Sequence, residues 1–134
     1  MSVTMSGRST GPTTVELSHP SGALVKTTAP ADNGGDGSSF SPTDLCTASL
    51  GACATTIMGM FAANHGIPLG GIDFTITKDM VGPPRKIGKI TVTFSLRGDF
   101  SETDFRRLVA AGKSCPVRLT LGENVEIVEE YIKV

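Results

Sequence analysis

The stretch SPTDLCTASLGACATTIMGMFAANHGIP, residues 41–68, decides how the rest of the chain is read. Ser41 can cap a helix, Pro42 suits the first helical position, and Asp44, three residues after Ser41, completes a pattern like a capping box. No charged residue occurs from Leu45 to Asn64, and Gly66 followed by Pro68 supplies a stop. A helix of about 22 residues is roughly 33 Å long. Leu45, Leu50, Ile57, Met58, Met60 and Phe61 do not share one narrow stripe, and small residues fill most of the gaps. The pattern predicts a central helix buried on both faces.

The length also fits a membrane span, but the interspersed Ser, Thr and Gly residues dilute its hydrophobicity. No flanking Lys/Arg cluster supports insertion either, so the stretch reads as a soluble core element and no membrane association is expected.

Outward from this helix, Val15–Leu17 and Ala23–Thr28 read as strands around the turn His19-Pro20-Ser21-Gly22. The loop APADNGGDGSSF, residues 29–40, has no lysine at phosphate-loop spacing and reads as a connection. Ile72–Asp79 and Lys89–Arg97 alternate apolar and polar residues, as two long antiparallel strands should. Ser101–Gly112 has a serine cap, early acids and a core face of Phe105, Leu108 and Val109, which predicts a second helix. A short helical segment opens at Cys115-Pro116, and Val125–Val134 closes the chain as a strand. Hairpins and helices without repeated strand–helix–strand units give an α+β fold of antiparallel sheets packed on a long central helix. Residues 1–134 are one domain, with residues 1–14 a flexible lead-in. One sheet covers one face of a helix, so the other face is expected against a second copy of the chain, in a homodimer.

Twelve basic residues against 13 acidic ones, no Trp and a single Tyr exclude a nucleic-acid partner. The N-terminal residues lack the apolar run of a signal peptide, so a cytoplasmic, reducing location is expected. Three cysteines there point to free or redox-active thiols rather than a disulfide framework. His19 and His65 lack ligand spacing, and Asp32 and Asp36 lack a partner glutamate at calcium-loop spacing, so neither metal nor cofactor is expected. Cys115, at a helix start with Lys113 and Arg118 nearby, reads as the more acidic thiol compared with mid-helix Cys53.

The SPTDLCTASLGAC helix start, the preceding DNGGDG loop and the later SCPV segment resemble the OsmC/Ohr family of thiol-dependent hydroperoxide reductases. HPSG, FSPTDL, TIMGM and PPRKIGKI are similar to its OsmC-like branch, and the order of elements matches over about residues 15 to 132. The resemblance implies an intertwined α+β homodimer with its active sites at the interface. It implies Cys53 as the peroxidatic nucleophile, Cys115 as the resolving thiol, a peroxide substrate and an external thiol or dithiol reductant. Family members activate the nucleophile with an N-terminal arginine and a glutamate directly after the helix-start proline. Here Thr43 holds the glutamate position, with Asp44 one residue later, and Thr13 and Thr14 stand where the arginine belongs. Arg85, between the long strands and reaching from the partner subunit, is the substitute proposed from sequence, with Arg8 second.

Cys46 and Cys53, seven residues apart on one helix, lie about 10 Å apart along its axis, too far for a disulfide. Cys46 is therefore expected to remain a buried free thiol. The competing reading is a dimer without catalysis, binding a small hydrophobic or sulfur-containing ligand in an apolar interface pocket.

Overall fold

The computed structural model describes residues 1–134, which form two compact units, Met1–Cys46 and Thr47–Val134. The first carries a three-stranded antiparallel sheet of β1 (Ser6–Ser9), β2 (Thr14–Ser18) and β3 (Leu24–Thr28), in that order. The β2–β3 turn closes through His19 N–H to the Ala23 carbonyl at 2.9 Å, with Gly22 at φ +93°. Residues 1–14 are not wholly a lead-in, because Ser6–Ser9 pairs with Val15–Ser18. All four β1 residues are exposed, so the edge strand rests on backbone pairing and leaves no alternation to read. The Gly-rich loop is a folded connection: a Cβ on Gly35 would come within 1.7 Å of the Ala29 carbonyl oxygen, so only glycine fits there. Hydrogen bonds from Ser38 hold the Asp36 carboxyl below the usual carboxylate range.

Helix α1 (Pro42–Asn64) begins in the first unit and runs into the second. Its start is a reciprocal capping pair, with Ser41 N–H donating to Asp44 Oδ2 at 2.9 Å and Asp44 N–H donating to Ser41 Oγ at 3.0 Å. The buried positions are Thr47, Leu50, Gly51, Ala54, Met58 and Ala62. They recur every three or four residues, so the helix does have one core stripe. It escapes a hydrophobicity reading because four of its six members are Thr, Gly or Ala. Ala52, Thr56, Gly59, Met60 and Ala63 are exposed, so the chain covers one face of α1 and not both.

The second unit contains β4 (Leu69–Val81), β5 (Lys86–Gly98) and β6 (Glu126–Lys133), with β5 central. β4 and β5 pair antiparallel, with Phe74 opposite Phe94, whereas β6 runs parallel to β5, with Val92 opposite Glu129 and Phe94 opposite Tyr131. The sheet is therefore mixed rather than antiparallel throughout. Two helices, α2 (Glu102–Lys113) and α3 (Pro116–Leu121), make the connection that a parallel pair requires. Ile90, Val92, Phe94 and Leu96 of β5 are buried and share a core with Leu50, Ala54 and Met58 of α1 and Leu108 of α2. Ile87 joins them although it is three residues from Ile90; the register shift at Asp79/Met80 turns the strand between them. Gly51 lets the Phe74 ring lie against α1, since a Cβ there would meet Cε2 at 2.3 Å.

Candidate thiol site

Cys115 caps α3, its Sγ accepting the Arg118 N–H at 3.4 Å, and Pro116 occupies the first helical position. The residue is fully buried in the core that includes α1 and β5. Half-buried Cys53 packs against that core and lies near enough to the Cys115 thiol to oppose its ionisation. The fold thus brings together two cysteines 62 residues apart in sequence, one shielded and one within reach of a reactant.

Burial pushes the Cys115 thiol above its ordinary range, the Arg118 N–H opposes this, and Cys53 raises it further. The expectation that its helix start makes Cys115 an acidic thiol therefore fails. The helix-start hydrogen bond is present, but loss of water outweighs it. Cys46 also departs from its reading, since it is exposed rather than buried.

Beside the pair lies an ion network. The Arg118 guanidinium holds one oxygen of Glu129 with two nitrogens, Nε at 2.9 Å and Nη2 at 2.8 Å, and the Tyr131 hydroxyl donates to the other oxygen at 2.9 Å. Glu129 and Tyr131 are two apart on β6 and share its inward face. Tyr131 is fixed by stacking on Phe94 at 4.9 Å, and Lys113 Nζ stands 5.9 Å from its ring centre. The Glu129 side chain is 10 % exposed and that of Arg118 is 32 % exposed. Burial and the Glu129 carboxylate hold the Tyr131 hydroxyl well above its ordinary range. Glu129 raises the Arg118 guanidinium, and Cys115 adds a smaller electrostatic contribution in the same direction.

Arg85 stands on the exposed β4–β5 turn, lining a shallow cleft of about 450 Å³ with Met80, Val81, Gly82 and Pro83. Arg8 lies 3.8 Å from Glu16, its cross-strand partner between β1 and β2. Sequence reasoning noted the charge of Arg118 but missed Glu129 and Tyr131. Their signal was a carboxylate at an inward position of β6, between Ile127 and Tyr131, where burial demands a cation. A groove of about 370 Å³ elsewhere in the second unit is lined by Thr55, Gly59, Ala62 and Ile67 among others. The Thr55 hydroxyl is buried there without a hydrogen-bond partner. No three His, Cys, Asp or Glu side chains converge as a metal-ligating set.

Solved structures share this architecture. A protein of Psychrobacter arcticus named for an osmotic stress induced and detoxification response superposes with a TM-score of 0.88 at 27% identity, over 100% of this chain and 97% of that one. An organic hydroperoxide resistance protein of Elizabethkingia anophelis, with thiocyanate bound, gives 0.78 at 16% identity over 100% and 99%. An organic hydroperoxide resistance protein OsmC of Legionella pneumophila gives 0.72 at 21% identity over 96% of each chain. No curated protein matches the chain. The family profile described as OsmC-like protein matches residues 35–130, which contain both Cys53 and Cys115, and the chain belongs to the OsmC-like family.

Proposed function

We propose that the protein is a thiol-dependent peroxidase that reduces organic hydroperoxides through Cys53 and Cys115. The observation that carries this reading is the meeting of a half-buried thiol with a fully buried one inside a single chain. The Cys53 thiolate attacks the O–O bond of the peroxide; its sulfur takes one oxygen as a sulfenic acid, and the alkoxide leaves and takes up a proton as the alcohol. The Cys115 thiolate then attacks that sulfur, forming the disulfide and expelling hydroxide, which is protonated to water. An external dithiol reduces the disulfide by exchange and is itself oxidised. Membership of the OsmC-like family supports the reading, as do the hydroperoxide resistance names of similarly folded proteins. Ile57 and Phe61, packed against the same core as Cys53, favour organic peroxides over hydrogen peroxide.

On this reading the protein works in the cytoplasm as a homodimer. Leu24, Val25, Phe40 and Met60 are large apolar side chains exposed on the single chain, and a second copy would cover them. From its exposed turn, Arg85 is the proposed cation for Cys53 across that interface. Consumption of cumene hydroperoxide with dithiothreitol tests the activity. The wild-type protein should consume it and Cys53→Ser should not; equal rates in the two would remove the reading.

One observation favours a second reading, in which the family fold binds a small apolar ligand without turnover. The 370 Å³ groove holds a hydroxyl, that of Thr55, with nothing to bond. Cys53 and Thr55 are two residues apart on α1, about 200° around it, so this groove and the thiol lie on different faces. Ligand binding abolished by Thr55→Val, in a protein with no peroxide consumption, would favour it.

A further inference from the structure

We propose that Arg118 is the positioning residue that lets the buried Cys115 thiol ionise and close the disulfide with oxidised Cys53, and that Glu129 and Tyr131 hold its guanidinium in place for that step. The inference rests on the peroxidase reading, and its test separates the two.

A thiol attacks a sulfenic acid as the thiolate, and a fully buried cysteine resists becoming one. The thiol and the network beside it draw groups from four elements. From α1 comes Cys53, which opposes ionisation. From α3 itself come the backbone N–H groups of Val117 and Arg118, the latter donating to the sulfur at 3.4 Å, and the positive charge of the Arg118 guanidinium, which favours the thiolate. From β6 come Glu129 and Tyr131, the carboxylate tied to Arg118 and the hydroxyl tied to the carboxylate. From α2 comes Lys113, engaged with the Tyr131 ring. Among these, Arg118 alone acts on the sulfur both through its backbone and through its charge.

The network explains why the cation stays. A free arginine side chain of this length samples many rotamers, whereas two nitrogens on one carboxylate oxygen fix it, and the second oxygen is occupied by Tyr131. Glu129 also balances the charge, so the reduced thiol is not ionised prematurely. When Cys53 becomes a sulfenic acid, the Cys115 proton is lost, the S–S bond forms as the S–O bond breaks, and the departing hydroxide leaves as water. Arg118 donates no atom to that sequence; it stabilises the anion that starts it.

The test reads Cys115 alone. In a Cys46→Ser, Cys53→Ser background, thiolate absorbance at 240 nm against pH gives the Cys115 titration midpoint directly. Arg118→Met should raise it by at least about one pH unit, a tenfold loss of thiolate at fixed pH, and Arg118→Lys should restore at least half of the shift. Glu129→Gln, which leaves the cation uncompensated, should lower it, and this variant decides the matter if Arg118→Met does not fold. With all cysteines present, Arg118→Met should slow disulfide closure about tenfold after cumene hydroperoxide, with dimedone trapping the accumulating Cys53 sulfenic acid. An unchanged midpoint in Arg118→Met, or an unchanged or raised one in Glu129→Gln, overturns the role of Arg118. A wild-type protein whose Cys53 forms no sulfenic acid instead overturns the peroxidase reading, while the titration still reports on Arg118.

Discussion

Arg118 grips Glu129 by a single carboxylate oxygen, through Nε at 2.9 Å and Nη2 at 2.8 Å, and so leaves the other oxygen to Tyr131. The division matters because Glu129 is almost out of water, where a lone carboxylate is costly and a fully satisfied one is tolerated. Arg118→Met, which strands that carboxylate, should cost about 3 kcal/mol of unfolding free energy, toward the lower end for breaking a buried pair because Arg118 itself is partly exposed. Tyr131→Phe keeps the ion pair and loses one charge-assisted hydrogen bond, so about 1.5 kcal/mol is expected. Urea denaturation of both variants checks the order; a larger loss in Tyr131→Phe would contradict this account of the network.

Stability should fall on the alkaline side, and the sign follows from the two raised groups. Cys115 and Tyr131 both bind their protons more tightly in the folded chain than in the unfolded one. Above the unfolded-state values, roughly 8.5 for a thiol and 10 for a phenol, the unfolded chain loses protons that the folded chain keeps. Their contribution is therefore complete below about pH 8.5 and declines as pH rises through that window. Cys115→Ala should flatten the first part of the decline and Tyr131→Phe the part above about pH 10. Parallel pH profiles for all three proteins would refute the linkage.

Gly51 tests the packing of α1 on the sheet. Alanine is the better helix former by roughly 1 kcal/mol, so substitution on an open face would stabilise. Here the new Cβ would meet the Phe74 ring at 2.3 Å, and overpacking of this kind costs about 1–3 kcal/mol. Net destabilisation is expected, relieved when Phe74→Leu is added. Additive effects in the double-mutant cycle would show that the two sites do not touch.

The elements were legible where local chemistry acts alone. Ser41, Pro42 and Asp44 announce the start of α1, and the alternation of Ile90, Val92, Phe94 and Leu96 announces β5. What could not be read depends on pairing between distant segments. β1 has no apolar face, so only its partner strand reveals it. The direction of β6 is set by the α2–α3 connection, not by its own residues. For the site, the cysteine pair came from motif resemblance, whereas the height of Cys115's proton affinity came only with its burial. A helix start predicts a hydrogen bond to sulfur, and it is there; it says nothing of how much water the fold removes.

The exposed apolar residues of the single chain make a statement about mass. Light scattering should report a particle of twice the chain mass, and Met60→Lys, on the exposed face of α1, should weaken it. A stable monomer of the wild-type protein at micromolar concentration would leave that face without an occupant.

Three thiols allow three intrachain disulfides, and their environments differ enough to predict which forms. Cys46 and Cys53 lie on one helix about 10 Å apart along its axis, beyond the roughly 7 Å between Cα atoms that a disulfide tolerates. Cys115 is the neighbour of Cys53 in the core, and Cys46 is exposed at the other end of the two-turn interval. Mild peroxide treatment should therefore join Cys53 to Cys115 and leave Cys46 free for alkylation. The same exposure has a second consequence: in the reduced protein, brief iodoacetamide treatment should label Cys46 before Cys115, because the latter has no solvent contact. Peptide mapping after blocking free thiols reads both outcomes. A dominant link through Cys46, or Cys53 driven to the sulfinic acid while Cys115 stays reduced, would show that Cys115 does not resolve Cys53 despite lying beside it.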